Sequence, residues 1–277
     1  MSTNKSHPHE SAMLHVAGEA TYADDIREVA GTLYAAIGMS AVAHGHIRSM
    51  DLSAVRAAAG VVDVVSAADI PGTNDCGPIV HDDPVLADGY VQYIGQPIFA
   101  VVAESYVQAR RAAVKAVIDY EELPAVLTPQ AAKEQGSFVV PPMKLTRGSP
   151  AEKLADSPHR STGTFYVGGQ EQFYLEGQIS YVIPKEDKQF LVYCSTQHPT
   201  EMQHVVAHAL NLQFNQVVVE TRRMGGGFGG KESQSAIFAC IAALCANRLQ
   251  RPVELRLDRA DDFLITGDRQ CHDYDGD

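Results

Sequence analysis

The sequence predicts an α+β protein built from two parts, and three observations support this. Between residues 18 and 123, short apolar strand patterns are interspersed with helical patterns. Between residues 124 and 159, six prolines interrupt a polar stretch. After residue 160, a strand pattern, a glycine run and a long apolar helical pattern follow one another. With 277 residues, 45% of them hydrophobic, the chain is long enough to bury the cores that these parts require.

The N-terminal part is predicted to be a small α+β domain over residues 18–123. Residues 1–17 are polar and rich in His and Ser, so we expect a flexible N-terminus. One helix is predicted over residues 51–59, ending at Gly60, and another over residues 105–116, capped by Ser105. The predicted strands cover residues 32–40, 61–66, 97–103 and 117–122.

The C-terminal part, residues 160–277, is predicted to begin a layered α/β domain after a surface linker over residues 124–159. The segments 178–183 and 189–194 are predicted to pair as a hairpin around the polar turn PKEDK. The helix that follows carries apolar residues with helical spacing, namely Met202, Val205, Val206, Ala209 and Leu210. The helix predicted over residues 232–249 is apolar on most faces, so it must be buried between other layers. The predicted strands cover residues 161–167, 178–183, 189–194, 217–223 and 253–258.

Composition and charge exclude several classes of function. The formal net charge of −12 would repel a nucleic-acid backbone. The longest apolar run, residues 236–246, is far shorter than the roughly 20 residues that span a bilayer, and the first ten residues have no apolar signal core. We therefore expect a cytoplasmic protein with neither a nucleic-acid partner nor a membrane partner.

The sequence offers no convincing set of direct metal ligands. The five cysteines are scattered without the spacing of zinc or iron-sulfur ligands, and we interpret them as reduced thiols. His204 and His208 share one helical face, but Val205 stands where a zinc protease would need its glutamate. We therefore expect packing roles for these residues.

The glycine run GGGFGG at residues 225–230 is the strongest candidate binding element. It lies between a predicted strand and a predicted helix, where backbone N–H groups can bind an anion. Gly225, Gly227 and Gly230 fit a dinucleotide-binding pattern, but Arg222 and Arg223 precede it where the first strand of that fold is apolar. That interpretation is therefore weak.

Two further interpretations of the glycine run are also weak. A phosphate-binding P-loop would use Lys231, but Glu232 then stands where a hydroxyl should bind magnesium. A purely structural turn would need one or two glycines, whereas five surround one phenylalanine here. These patterns by themselves leave the bound group unassigned.

The segment RMGGGFGGKE at residues 223–232 closely resembles the molybdopterin loop of the xanthine dehydrogenase and aldehyde oxidase family. Several flanking segments resemble the same family in the same order: HVAGEATYADDI, VQYIGQPIFAVVAES, QEQFYLEGQ, STQHPTEMQ and RPVELRLDRADDFLITGDR. The resemblance covers nearly the whole chain. It implies an α/β-hammerhead domain over residues 18–123, followed by the first part of a molybdopterin-binding domain over residues 160–277.

The resemblance also implies roles for five residues. In this family the protein contacts the molybdenum cofactor without ligating the metal. By position, Gln197 would hydrogen-bond an oxo ligand, and Gly227, Phe228 and Gly229 would bind the cofactor, the last two through backbone N–H groups. Glu232 would face the substrate. Because aldehyde-oxidising relatives usually lack a carboxylate there, Glu232 favours hydroxylation of hypoxanthine or xanthine towards urate, a step of purine catabolism.

The rest of the expected active site lies outside this sequence. The resemblance implies a glutamate general base beyond Asp277, so we expect a truncated domain that is inactive alone and no catalytic residue within these 277 residues. Iron-sulfur clusters and FAD are expected on a partner subunit in a hetero-oligomer. The alternatives are a related aldehyde or carbon monoxide oxidoreductase and a non-catalytic remnant or assembly module.

Overall fold

The computed structural model describes residues 5–276 and contains twelve strands and eight α-helices within that range. The strands are β1 (Leu33–Met39), β2 (Gly45–Asp51), β3 (Val61–Ser66), β4 (Tyr90–Val91), β5 (Pro97–Ala103), β6 (Val117–Glu122), β7 (Gly163–Val167), β8 (Ile179–Pro184), β9 (Phe190–Cys194), β10 (Val217–Glu220), β11 (Val253–Arg256) and β12 (His272–Gly276). The helices are α1 (Ala12–Ala17), α2 (Ser53–Arg56), α3 (Tyr106–Ala113), α4 (Pro129–Gln135), α5 (Pro150–Ala155), α6 (Pro199–Leu210), α7 (Ser235–Leu249) and α8 (Arg259–Ile265).

One seven-stranded sheet, in the order β10-β9-β8-β11-β1-β5-β3, runs through both predicted parts. Strand β1 pairs with β11 in parallel and with β5 antiparallel, so it joins the N-terminal strands to the C-terminal ones. The predicted hairpin of β8 and β9 forms as expected. Two smaller sheets, β4-β2-β6 and β12-β7, lie apart from this one.

Helix α7 packs at the centre of the larger core. Its residues from Ser235 to Ala246 are all buried, because it lies between the sheet and helix α6. The apolar stripe predicted on α6 also faces this core: four of its five residues are buried, and Val205 packs against them while partly exposed. The mixed layered architecture predicted from the sequence is confirmed.

Several local predictions are confirmed and others need correction. Strands β3 and β5 have the predicted limits, and Ser105 Oγ accepts a hydrogen bond from the backbone of Gln108 at the start of α3. The helix predicted over residues 51–59 is reduced to the single turn α2, and β10 ends at Glu220 rather than at residue 223.

The start of helix α7 is the correction that affects the site. The helix begins at Ser235, three residues after the predicted start at Glu232. The reason is that the Lys231 carbonyl accepts a hydrogen bond from the Gln197 backbone N–H at 2.8 Å, outside the helix. Glu232 therefore belongs to a loop rather than to the first helical turn.

The predicted flexible and linking segments have some local structure. Residues 1–4 of the predicted N-terminus lie outside the described residues, while α1 forms within residues 12–17. The predicted linker contains α4 and α5, which both begin with proline and bury no residue. Over residues 5–276, no helix combines the length and the apolar character that crossing a membrane requires.

Candidate functional site

The candidate site is the loop between β10 and α7, residues 224–234, here called the glycine loop. It lies against the segment that follows β9, because the Gln197 backbone N–H donates to the Lys231 carbonyl at 2.8 Å. Thr196 Oγ1 donates to the same carbonyl at 3.2 Å. The predicted proximity of Gln197 to the glycine run is therefore present in the structure.

The Gln197 side chain is held in one orientation by the glycine loop. Its Oε1 atom accepts hydrogen bonds from the backbone N–H groups of Gly229, at 3.0 Å, and Lys231, at 3.3 Å. Two N–H donors can be satisfied only by the amide oxygen, which fixes the assignment of oxygen and nitrogen. Within residues 5–276, the Nε2 group makes no hydrogen bond, so it is a donor available to a ligand.

Three residues of the glycine loop adopt a backbone that most side chains disfavour. Gly226, Phe228 and Gly229 have φ values of 101°, 54° and 93°. Phe228 is a non-glycine residue in the left-handed region, and its side chain is 62% exposed. These positive φ values form a turn that exposes the loop backbone and the Phe228 ring at the protein surface.

Close packing beneath the loop requires glycine at two further positions. A Cβ at Gly227 would lie 2.6 Å from Gln197 Oε1, and a Cβ at Gly225 would lie 2.5 Å from Glu176 Cβ. At Gly229, by contrast, a Cβ would meet no atom within 4 Å. One face of the loop is thus packed, and the face at Gly229 is open.

The backbone N–H groups expected to face a ligand are not equivalent. The Gly229 N–H already donates to Gln197, whereas the Phe228 N–H makes no hydrogen bond within residues 5–276. Arg269 Nη2 donates to the Phe228 carbonyl at 3.2 Å. The peptide group between Phe228 and Gly229 is therefore hydrogen-bonded through both its carbonyl and its N–H. The Phe228 N–H and Gln197 Nε2 are therefore the donors that the loop leaves available.

Glu232 is exposed, and no residue among 5–276 donates a hydrogen bond to its carboxylate. It directly follows the buried Lys231 in the chain. Gln234, at the end of the loop, is one of the residues that line a cavity of about 480 Å³. Gln197, Phe228 and Glu232 do not line this cavity. The face that carries the predicted site residues is thus an open surface separate from that cavity.

Sequence reasoning missed the ion pair that supports the loop. The Lys231 side chain is fully buried, and its Nζ lies 3.5 Å from Glu176 Oε2. Nζ also donates to the Glu176 carbonyl, at 2.6 Å, and to Ser195 Oγ, at 2.8 Å. Burial lowers the pKa of Lys231, and the Glu176 carboxylate acts in the opposite direction.

The only sequence signal for this pair was the position of Lys231 itself, between the glycine run and an apolar helix. Glu176 lies 55 residues earlier in the chain, so spacing could not connect the two. The burial of Lys231 also contradicts a P-loop, in which the lysine must reach a phosphate. Lys231 Nζ instead lies over the Tyr174 ring at 4.6 Å.

A second buried network supports the loop from below. Gln178 Nε2 donates to the Gly230 carbonyl at 2.9 Å and to the Tyr174 hydroxyl at 3.0 Å. The Tyr174 hydroxyl donates to Asp262 Oδ1 at 2.6 Å, and burial together with that carboxylate raises the pKa of Tyr174. The loop therefore rests on residues of α8 and of the segment before β8.

The histidines of the predicted HVVAH helix have a packing role. His204 stacks on Phe214 with ring centroids 4.1 Å apart, and His208 lies 5.3 Å from the same ring. Across residues 5–276, no group of three or more His, Cys, Asp or Glu residues is arranged to hold a metal ion directly. All five cysteines are unpaired thiols, and four of them are buried.

Comparison with known protein families places this loop in a defined domain. The model of the molybdopterin cofactor-binding domain matches residues 132–276. The model of the aldehyde oxidase and xanthine dehydrogenase a/b hammerhead domain matches residues 17–124. Together these models cover most of the chain, and the first alone covers more than half of it.

Individual relatives agree with the family models. The chain is 42% identical to a xanthine dehydrogenase of Dictyostelium discoideum over 94% of its own length, and 44% identical to aldehyde oxidase 2 of Mus musculus over 94%. Its fold matches the aldehyde oxidoreductase of Desulfovibrio gigas with a TM-score of 0.82, at 27% identity, over 95% of this chain and 31% of that one.

The fold and the glycine loop thus define a molybdopterin-binding protein with a preceding hammerhead domain. The chain belongs to the aldehyde oxidase and xanthine dehydrogenase family. It spans 19% of the length of both curated relatives.

Proposed function

We propose that this chain is the molybdenum-cofactor-binding portion of a xanthine dehydrogenase that hydroxylates hypoxanthine or xanthine. The observation that carries the proposal is Glu232, an exposed carboxylate within the glycine loop, directly after Lys231, with no hydrogen-bond donor among residues 5–276. A carboxylate facing a bound purine can accept a hydrogen bond from a ring N–H group.

The loop fits an anionic, oxygen-rich cofactor. Gln197 Nε2 and the Phe228 N–H are free donors, while the open side of Gly229 leaves room for a large group. When bound, the molybdenum cofactor supplies the two-electron oxidation of the substrate carbon. In this proposal Gln197, Gly227, Phe228 and Gly229 hold the cofactor and none of them ligates the metal.

Glu232 orients the substrate in the proposed reaction. Its carboxylate accepts a hydrogen bond from a ring N–H group, and this contact holds the ring carbon that is oxidised in a fixed position next to the cofactor. Losing a preorganised group of this kind costs about 2.7–4 kcal/mol of transition-state stabilisation, by analogy with oxyanion-hole donors. The same carboxylate contributes little to the fold, because it is exposed.

Oxidation of an aldehyde is the second candidate function, and the 44% identity to aldehyde oxidase 2 of Mus musculus favours it. An aldehyde has no ring N–H group for Glu232 to bind. The two candidates therefore differ in how much they depend on this one carboxylate.

The proposed holoenzyme has further parts. We propose a cytoplasmic hetero-oligomer in which a partner subunit carries iron-sulfur clusters and FAD, because electrons from the substrate must leave the molybdenum site. The proposed boundaries are a flexible segment over residues 1–17, the hammerhead domain over 18–123, the linker over 124–159, and the first part of the molybdopterin domain over 160–277. Purification of the holoenzyme followed by metal and flavin analysis tests this composition.

The test of the proposed function is Glu232→Gln in the holoenzyme that contains this chain. We expect molybdenum content close to that of the unaltered enzyme and a 100- to 1,000-fold lower kcat/KM for xanthine, by analogy with oxyanion-hole donors. Glu104→Gln, at an exposed carboxylate outside the loop, is the matched control and should change neither quantity.

Three outcomes contradict the proposal. If Glu232→Gln has unchanged xanthine turnover, Glu232 does not bind the substrate. If the variant loses molybdenum, Glu232 supports the cofactor instead. If the unaltered holoenzyme oxidises an aromatic aldehyde with a much higher kcat/KM than xanthine, the aldehyde function replaces the purine function.

A further inference from the structure

We infer that Glu176 is a positioning residue that holds both ends of the Gly225–Lys231 segment of the glycine loop and thereby sets the orientation of Gln197. This inference rests on the proposed function of the loop as the cofactor cradle. Glu176 lies in the segment before β8, outside the loop and outside the residues assigned to cofactor or substrate.

Glu176 holds the first end of the loop through a reciprocal backbone contact. Its Oε2 accepts a hydrogen bond from the Gly225 N–H at 2.7 Å, and its own N–H donates to the Gly225 carbonyl at 3.2 Å. Because a Cβ at Gly225 would lie 2.5 Å from Glu176 Cβ, the two backbones are in direct contact.

The same carboxylate holds the second end of the loop through Lys231. Oε2 lies 3.5 Å from Lys231 Nζ and also accepts the Ser195 hydroxyl at 2.6 Å, while Ser195 Oγ accepts from Nζ at 2.8 Å. The side chains of Lys231 and Glu176 are 0% and 6% exposed, so solvent screens this triad very little. The five residues between Gly225 and Lys231 are thus held between two contacts to one carboxylate.

The triad is connected directly to Gln197. The Lys231 carbonyl accepts the Gln197 N–H at 2.8 Å, and the Lys231 N–H donates to Gln197 Oε1 at 3.3 Å. Ser195, the third member, lies two residues before Gln197. A displaced Lys231 therefore removes one of the two donors that hold Gln197 Oε1 and fix the orientation of the amide.

Glu176 also connects the loop to the N-terminal part of the chain. Its Oε1 accepts a hydrogen bond from the Ala23 N–H at 3.1 Å. Each oxygen of the carboxylate therefore has partners, as a buried charge requires. This arrangement distinguishes Glu176 from a surface carboxylate, which would tolerate replacement.

The test compares Glu176→Gln with the unaltered chain by hydrogen exchange, without cofactor or substrate. We expect the amides of Gly229 and Lys231 to exchange about tenfold faster or more, because their acceptor is no longer held, while amides at the centre of α7 change much less. Asp63→Asn, which breaks an ion pair with Arg248 away from the loop, is the control and should leave this ratio unchanged.

A chemical probe gives a second readout on the same variants. An amine-acylating reagent should leave the fully buried Lys231 unmodified in the unaltered chain and modify it in Glu176→Gln, with the exposed Lys185 as internal standard. Unchanged protection of both Lys231 and the loop amides would overturn the inference. Loop and α7 amides that accelerate in equal proportion would overturn it too, because that result indicates general destabilisation.

The double variant Glu176→Gln/Lys231→Met keeps the inference testable if the single variant does not fold. Removing both charges leaves no uncompensated buried ion, so the melting temperature should recover towards that of the unaltered chain. The Gly229 amide should nevertheless exchange faster than in the unaltered chain. Recovery of its full protection would show that the ion pair does not position the loop. Since no substrate is present, neither measurement depends on whether purines or aldehydes are oxidised.

Discussion

At Gly227 and Gly229, the absence of a side chain has two different physical reasons. A Cβ at Gly227 would lie 2.6 Å from Gln197 Oε1, a distance that real Cβ contacts essentially never show. A Cβ at Gly229 would meet no atom within 4 Å, but the φ of 93° strains any other residue. The first position is limited by space and the second by backbone conformation.

These two reasons predict different consequences for two alanine variants. Gly227→Ala should displace the Gln197 amide and lower the molybdenum affinity of the holoenzyme by about 10- to 100-fold, as observed for outer-shell partners of metals. Gly229→Ala should destabilise the loop by about 1–3 kcal/mol through backbone strain. Molybdenum content under limiting cofactor supply and melting temperature measure the two effects.

Gly89 provides the control for the strain effect. It also has a positive φ and open space at its Cβ position, but it lies outside the glycine loop. Gly89→Ala should lower the melting temperature to a similar extent and leave the molybdenum content unchanged. If Gly227→Ala binds the cofactor normally, Gln197 does not contribute to the cradle.

The burial of Lys231 and the exposure of Glu232 could not be deduced from the sequence. The two neighbours have opposite environments: Lys231 is fully buried and Glu232 is exposed. Helical periodicity placed Glu232 at the start of α7 and gave no prediction of whether Lys231 or Glu232 is buried. The turn of residues 228–231 decides which side chain points inwards, and that turn depends on partners distant in sequence.

At the scale of the element, the pairing of β1 with β11 brings acidic residues together. Glu254 on β11 is opposite Tyr34 on β1 and close to Glu28. Burial raises the pKa of Glu254 to about 7, and Glu28 and Asp24 add to the effect while Arg256 opposes it. This strand pair therefore carries a carboxyl group that titrates near neutrality.

The raised pKa of Glu254 predicts how stability depends on pH. A carboxyl whose pKa rises from 4.5 when unfolded to about 7 when folded binds its proton more tightly in the folded chain. The contribution of protonated Glu254 to the free energy of unfolding is therefore fully present below pH 4.5 and is lost as the pH rises through 7. Glu254→Gln should raise the free energy of unfolding by about 1 kcal/mol at pH 8, allowing for solvent screening, and by less at pH 5.

Chemical denaturation at both pH values measures this difference. Glu220→Gln, at an exposed carboxylate on β10 of the same sheet, is the control and should have no pH-dependent effect of this size. A Glu254→Gln variant that is equally stabilised at pH 5 and pH 8, or destabilised at pH 8, would contradict the assignment.

For the molecule as a whole, the seven-stranded sheet connects parts that the sequence separates. Strand β1 lies between β11 and β5, so the N-terminal strands and the C-terminal strands share one set of backbone hydrogen bonds. Glu176 adds a contact to Ala23. The hammerhead and molybdopterin parts are therefore structurally interdependent.

This interdependence predicts that the chain unfolds in one cooperative transition. Differential scanning calorimetry should show a single peak with calorimetric and van't Hoff enthalpies in agreement. Ala35→Pro in β1, where proline would interrupt the ladder between β11 and β5, should lower the stability of both parts together. Two separate transitions in the unaltered chain would show that the two parts are independent domains.

The sequence alone determined the features that depend on local patterns. Apolar periodicity predicted α6, α7 and the hairpin of β8 and β9, and the glycine run located the candidate site, because these signals lie within a few neighbouring residues. The resemblance in motif order predicted the family, which the comparisons confirm. The roles of Gln197, Phe228, Gly229 and Glu232 stay predictions.

Only the tertiary structure decided which distant residues support that loop. Glu176 and Lys231 are 55 residues apart, and Ala23 is 153 residues from Glu176. Their contacts exist because β8, β9 and β11 lie side by side in one sheet and bring the adjoining segments together. The free energy of burying an ion pair depends on neighbours that are distant in the sequence, so it cannot be predicted from local sequence patterns.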